Sequence, residues 1–515
     1  MALILSGTVV TFDPSQPELD PGVVYLGDGG IEAVAPLAAP APAGFDNAAR
    51  IDTGAVLYPG LIDLHSHLGY NTLPLWEATG VPYLHHDRWP DEDDPPAYAT
   101  AVSWPSKVLQ RAAAEALIKY VEVRALVGGT TAIQGAPHTT RPVDGWLLRI
   151  LDNERFIGGA DRVLTAALQK DRDALRKDAK KLRAGHVLIY HVAEGQLGSI
   201  VIDEFADLSA TGCLQPGLIG VHASALAEQH FEQWRDKLRA SDAGGRGTVV
   251  WSPFSNLWLY HQTTDVVTAA QKGLRIALGS DWAPSGTKHV LGELKLADLL
   301  NAKRFDSTFS DEELCEMVTA NPGDALAVAL ERPLGRLVKN AAADVVVVER
   351  HHQDLYRNLI EATERHIQLV VVRGQPFYGT PSLMRAAGAV ETDRVTVAGR
   401  SRAVSVRQPQ HTDATLNWPE VRDRLEAVRD DPVGAWHDAQ DALAAWGGAL
   451  DDPEAPLVIF GDMPEGELGL LGAADEPPAD LTIPRLDSLT HDKRFFAAVR
   501  RAGPSDLHGL ARYYQ

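Results

Sequence analysis

The stretch Pro59-Gly60-Leu61-Ile62-Asp63-Leu64-His65-Ser66-His67 decides how this chain folds. Its apolar run is strand-like and ends in two histidines two positions apart. Residues so spaced on a strand project from one face, so His65 and His67 can converge on a single ion from the strand's end. A lone pair of this kind also occurs on solvent faces and carries little by itself. Three more runs repeat its layout: Ile189-Tyr190-His191-Val192-Ala193-Glu194, Ile219-Gly220-Val221-His222 and Ile276-Ala277-Leu278-Gly279-Ser280-Asp281. Each sets a metal-competent side chain at the carboxyl end of a predicted parallel strand, the face on which α/β barrels build their active sites. Core histidines of independent origin would not share that placement.

Outward from these runs, apolar strands alternate with amphipathic helices, the pattern of parallel βα units. Further strands are expected at 130–134, 163–167 and 248–251, and the eighth that a closed barrel needs is expected between Val143 and Leu151. Helices are expected at 106–127, ending at Gly128-Gly129, and at 171–183, 225–238 and 291–304. Another is expected at 310–320, where Ser310 and Glu313 have capping-box spacing and Pro322 follows. Residues 1–60 read as short strands between Gly, Pro and Asp clusters, and 343–348 and 367–373 return to that texture as though completing one module. The expected class is α/β: a distorted (β/α)8 TIM barrel over 61–330 and a small β-sandwich from 1–60 and 331–384. A C-terminal extension, 385–515, has helical stretches at 418–428 and 433–446 and no chemical motif.

Composition narrows the partners. The 515 residues are 45% hydrophobic and 23% charged, which excludes a largely disordered or low-complexity chain. The formal charge of −21 would repel a phosphate backbone or an anionic bilayer, so neither nucleic acid nor a membrane is expected as partner. A neutral or cationic small molecule remains acceptable. The two cysteines, Cys213 and Cys315, make neither a disulfide framework nor a thiolate metal site and are expected to be buried thiols. The start MALILSGTVVTFDP has no basic segment, long apolar run or cleavage site, so a cytoplasmic protein is expected, with a homo-oligomer left open.

The segments PGLIDLHSHL, GGTTAIQG, YHVAEG, GVHASAL, WSPFSNLWL, LGSDWAPSG and TANPGDALAV together resemble the amidohydrolase superfamily. They are similar to its mononuclear branch of cytosine, guanine and adenosylhomocysteine deaminases, imidazolonepropionase and triazine chlorohydrolases, over residues 1 to about 380 in the family's order. The resemblance implies one divalent metal per chain, zinc first and iron or manganese as alternatives, held by His65, His67, His191 and Asp281. It implies Glu194 as proton shuttle and His222 as a second polar group at the reacting centre, with Asp281 also able to take a proton. A binuclear site would need a bridging ligand, for which Lys170 is the candidate; its other reading is a solvated residue opening a charged helix.

The loop after His67 carries Tyr70, Trp76, Tyr83, His85, His86, Trp89, Tyr98 and Trp104, a set that suits a ring-bearing ligand or merely pins the loop to the barrel. Tyr70, Trp76, His138, Asn256 and Trp282 are the substrate-side candidates, with His85 and His86 taken as ordinary loop residues. Trp282 stands where the family's deaminases carry a smaller residue, which points away from an ordinary nucleobase. The leading expectation is hydrolysis of a non-peptide C–N bond, by deamination of an amino-substituted heterocycle or by opening of an imidazolone-like cyclic amide. The contrasting expectation is a metal-stabilised, non-catalytic binding module.

Overall fold

The computed structural model of the chain describes residues 2–28, 30–90, 95–153, 161–166, 169–241, 245–446, 452, 454–460 and 476–515. Four strands open it: β1 Leu3–Val10, β2 Glu18–Gly27, β3 Gly30–Pro36 and β4 Ala49–Pro59. Eight short strands follow, β5 Leu61–Asp63, β6 Thr130–Ile133, β7 Arg149–Ile150, β8 Val163–Ala166, β9 Val187–Val192, β10 Leu218–His222, β11 Thr248–Trp251 and β12 Arg275–Leu278. They pair in parallel as two arcs, β5-β6-β7 and β8-β9-β10-β11-β12. The arcs meet where Ser66 and Asp281 bridge in parallel and Asp281 N donates to His65 O at 2.9 Å. β7 falls in the segment where an eighth strand was expected, and is two residues long. The expected strand at 163–167 ends at Ala166, and Ala167 lies outside the described residues.

One apolar cluster draws Ile62, Ala132, Val163, Ile189, Val221, Val250 and Ala277 from these strands and is plugged by Ala325, Leu326 and Leu330. This interior filling holds the strand ends, and so the site, in fixed register.

After the arcs come β13 Val345–Val348, β14 Ile367–Val372, β15 Gln375–Gly379, β16 Asp393–Val397 and β17 Arg400–Val404. They join β1–β4 in one nine-stranded sheet, ordered β16-β17-β15-β14-β13-β4-β1-β2-β3. Its two faces follow from period-2 alternation. Leu57, Val345 and Val347 face a small core with Leu3, Leu5 and Val371, while Val56, Tyr58, Val346 and Val348 face the large core shared with the helices around the two arcs. β16 and β17 add two strands to this sheet beyond residue 384, where the module was expected to end. A local reading missed them because Asp393–Val397 is half polar.

The helix expected at 106–127 is two, Trp104–Ala112 and Ala114–Val127. Ile459 N donates to Gln110 O at 3.2 Å, taking the carbonyl that an unbroken helix would pair with Ala114 N. The helix at Asp311–Glu316 has the expected capping box between Ser310 and Glu313. Cys213 and Cys315 are buried and free. Among the described residues no helix is long and apolar enough to cross a membrane.

Candidate active site

Four strand ends deliver the site. His65 and His67 follow β5, His191 lies in β9, His222 closes β10 and Asp281 follows β12. Three residues at these ends, Ala193, His222 and Asp281, have left-handed backbones with φ of 49°, 64° and 58°. Such positions are strained for non-glycine residues and collect at functional sites, and here they turn the chain sharply off the strand with the side chain aimed inward. Close approach does the same for Gly135 of the GGTTAIQG segment: a Cβ there would lie 1.8 Å from Ser66 O, in the turn between the two ligand histidines.

The rings of His65, His67 and His191 pack with centroids 4.8–5.5 Å apart. His65 Nε2 lies 3.3 Å and His67 Nε2 3.6 Å from Asp281 Oδ1. Separations of that size suit side chains sharing one tetrahedral ion with bonds of about 2.0–2.2 Å. His65 Nε2 is also buried without a hydrogen-bond partner, an orphan that a metal would satisfy. Burial depresses the His65 and His191 pKa values and keeps both imidazoles neutral, the form that ligates. Burial alone would raise the Asp281 carboxyl, but the surrounding His65, His222 and His67 outweigh it and hold the group well below the usual carboxylate range. Three imidazoles and one carboxylate therefore fit a divalent ion of the zinc type.

Lys170 brings no ligand. Its ammonium pairs with Asp178 at 2.6 Å, on the helix that follows, and its backbone N–H donates to Tyr190. Lys170 therefore presents no bridging side chain to the site.

Glu194 Oε2 stands 3.6 Å from His222 Nε2, and its other oxygen accepts from Tyr260 Oη at 2.7 Å. Burial pushes the Glu194 carboxyl up to about 7, against the opposing pull of His86. Asn256 Nδ2 donates to His222 Nδ1 at 3.1 Å. His222 therefore carries its proton on Nε2, which faces Glu194 and, at 3.9 Å, Asp281. Burial lowers the His222 pKa to about 3, so this donor is a neutral imidazole.

The substrate-side candidates divide. His138 lines a cavity of about 50 Å³ with His65, His67, Gln134, Asp152 and His191. Tyr70 packs edge-on against Trp282 at 5.5 Å, and Trp282 meets Trp89 at 5.2 Å and Tyr98 at 6.1 Å. Trp76 sits one layer back: it is 3% exposed, stacks on Tyr83 and donates to Pro96 O. Asn256 also moves out of the pocket, because it is fully buried behind His222 and its amide is used there.

Sequence reasoning missed Tyr260, although a signal existed. Asn256 and Tyr260 are four apart on the helix Pro253–Tyr260 and so share one face, one side chain holding His222 and the other Glu194. It also undervalued His86, whose Nε2 pairs with Glu204 Oε1 at 2.7 Å and whose backbone N–H donates to Glu194 O. Burial would lower the His86 pKa, yet Glu204 and Glu194 raise it to about 9. Replacing Tyr260 with Phe removes one donor to a buried carboxylate, worth about 1.5–3 kcal/mol for a charged partner. We expect Tyr260→Phe to lower kcat/KM roughly tenfold or more with metal retained; wild-type kinetics would remove Tyr260 from this role.

Residues 218–377 match the sequence profile of the amidohydrolase family. The chain carries an amidohydrolase family domain. A 5-methylthioadenosine/S-adenosylhomocysteine deaminase of Syntrophobacter fumaroxidans is 26% identical over 388 residues, 67% of this chain and 84% of that protein. Among solved structures, a triazine hydrolase from Arthrobacter aurescens superposes with a TM-score of 0.57 at 18% identity, over 73% of this chain and 94% of its own. An adenosine deaminase from Xanthomonas campestris with bound zinc gives 0.55 at 18% identity, over 73% and 92%. The likeness to these structures is one of fold. The amidohydrolase match runs from β10 into β15 and so includes His222 and Asp281, while His65, His67, His191 and Glu194 lie before it.

Proposed function

We propose that this amidohydrolase-domain protein is a hydrolase of non-peptide C–N bonds that deaminates an amino-substituted heterocycle with one divalent metal, zinc, per chain. The observation that carries the reading is Glu194, a buried carboxyl with a pKa near 7, set beside His222 and against the His65, His67, His191 and Asp281 cradle. A binding module needs the cradle but has no use for a proton-exchanging group there. The deaminase relative, similar along most of its length, supports the same chemistry. The two strand arcs are read as one distorted barrel, supported by the Asp281 N to His65 O hydrogen bond where they meet, and the nine-stranded sheet as the family's β module.

A divalent ion in the cradle would supply Lewis acidity that brings the pKa of a water down to about 7. The chain's own groups do the rest. Glu194 takes the proton of the attacking water and returns it to the departing nitrogen, acting first as base and then as acid. His222 Nε2–H, fixed in that tautomer by Asn256, donates to the oxygen on which negative charge develops. Tyr70, Trp89, Tyr98 and Trp282 supply flat apolar walls for a ring, and the net charge of −21 favours a neutral or cationic one.

Ammonia release should appear with some member of a panel of amino-substituted purines, pyrimidines and triazines, and metal analysis should return about one ion per chain. Turnover of cyclic amides in place of aminated rings would move the reading to ring opening. Two ions per chain would overturn the one-metal assignment.

A further inference from the structure

The C-terminal extension carries no motif, yet Asp487 within it reaches the loops that bear the ligands. Its carboxylate pairs with the ammonium of Lys288 and stands 3.4 Å from Arg124 Nη1. Its backbone is fastened as well: Asp487 N donates to Thr72 O at 2.8 Å, and Tyr120 Oη donates to Asp487 O. All three charged side chains are at most 10% exposed.

Arg124, on the helix Ala114–Val127, uses one guanidinium on two loops. It donates to Asn71 O in the loop after β5, and to Thr287 O at 3.1 Å and Lys288 O at 2.8 Å in the loop after β12. Asn71 passes the contact inward. Its Oδ1 accepts from Ala283 N at 2.8 Å, its Nδ2 donates to Ser66 Oγ at 2.9 Å, and Ser66 Oγ donates to Asp281 O at 3.2 Å. The first loop carries Tyr70 and follows His67, and the second carries Trp282 and follows Asp281. A planar fork can hold several carbonyls at fixed angles, which a lysine cannot.

A neighbouring cluster strengthens the same attachment. His289, Glu364 and His491 bring their side-chain atoms within ligand reach of one another. His491 Nε2, however, accepts from Lys288 N at 3.1 Å, so its proton is on Nδ1 and is donated to Glu364 at 2.7 Å. A metal-bound histidine shows the opposite polarity, with its second nitrogen donating. The cluster therefore fastens the 487–492 segment to the β12 loop and to Glu364, and is not a second metal site.

We propose that Asp487 is a positioning residue of the active site: it neutralises and seats Arg124, whose fork locks the loop after β5 to the loop after β12 and so fixes Asp281 against His65 and His67. The extension is then part of the site's frame. The consequence for metal rests on the cradle proposed above, whereas the consequence for the loops does not.

The test compares full-length wild type with Asp487→Asn, Arg124→Lys and a control, Asp506→Asn, which removes the outer Arg304–Asp506 pair of the same extension. Hydrogen exchange is read in peptides covering 66–73 and 280–289, and zinc affinity by competition with a chromophoric chelator. We expect faster exchange in both loops and zinc binding weakened about tenfold in Asp487→Asn and Arg124→Lys, with Asp506→Asn like wild type in both. Arg124→Lys keeps a cation for Asp487 while losing the fork, so it carries the test if Asp487→Asn does not fold. Wild-type exchange in both loops would overturn the proposal. Faster exchange with unchanged zinc affinity would also overturn it, leaving the extension a purely structural attachment. If the wild type binds no zinc, the metal reading fails by itself, and exchange in the two loops still decides whether Asp487 and Arg124 lock them.

Discussion

Glu194→Gln should fold, keep its metal and lose turnover by roughly 10²–10⁴-fold, the range for removing a positioned general acid–base group. Glutamine has nearly the same shape and still accepts a hydrogen bond from Tyr260, which now reaches Glu194 at 2.7 Å. The carboxylate stands beside His222, and the proposed cradle of His65, His67, His191 and Asp281 does not include it, so metal content should not follow activity down. Loss of metal together with activity would instead make Glu194 a ligand. The pH profile gives a second readout. Glu194 must be ionised to take the water's proton, so kcat/KM falls as pH drops through its pKa. Burial puts that pKa at about 7, and a dication in the proposed cradle would pull the other way, placing the acid limb between the ordinary carboxylate range and 7. The limb should vanish from whatever activity Glu194→Gln retains. An acid limb that persists unchanged would belong to another group.

What the sequence showed and what it hid divides along physical lines. His65, His67, His191, Glu194, His222 and Asp281 were legible because each sits at the end of an apolar run, and runs and spacings of two or three are local properties. The helix cap at Ser310 was legible for the same reason. Asn256 and Tyr260 carried the right spacing, but nothing local says which strand end their helix face will meet. The break at Ala113 was illegible because its cause, Ile459 taking the Gln110 carbonyl, comes from the far end of the chain. Asp487 was hidden more deeply, since an aspartate in a proline-rich loop looks solvated until its two cationic partners are placed. The two-residue β7 could not be delimited by periodicity, which needs more residues than it has.

That short strand leads to the second large effect, on stability. Arg149 in β7 makes a bidentate pair with Asp344, Nε to Oδ2 at 2.8 Å and Nη2 to Oδ1 at 3.1 Å, both side chains at most 10% exposed. Asp344 also accepts from Arg373 N at 2.8 Å, and its carbonyl accepts from Gly60 N at 3.0 Å. One residue thus joins three elements: its carbonyl holds the β4–β5 junction, and its carboxylate ties β7 to the nine-stranded sheet. Removing it takes the bidentate partner away from the Arg149 guanidinium, and breaking a buried ion pair from one side costs about 3–5 kcal/mol. We expect Asp344→Ala to melt on the order of 5–10 °C below wild type at the same scan rate. The pair itself is not inherently worth that much, because two desolvated charges repay only part of their burial when they meet. Arg149→Met combined with Asp344→Leu should therefore recover most of the loss, since both charges of the pair are then removed together. A single Asp344→Ala variant that melts with the wild type would show that this carboxylate does not hold β7 to the nine-stranded sheet.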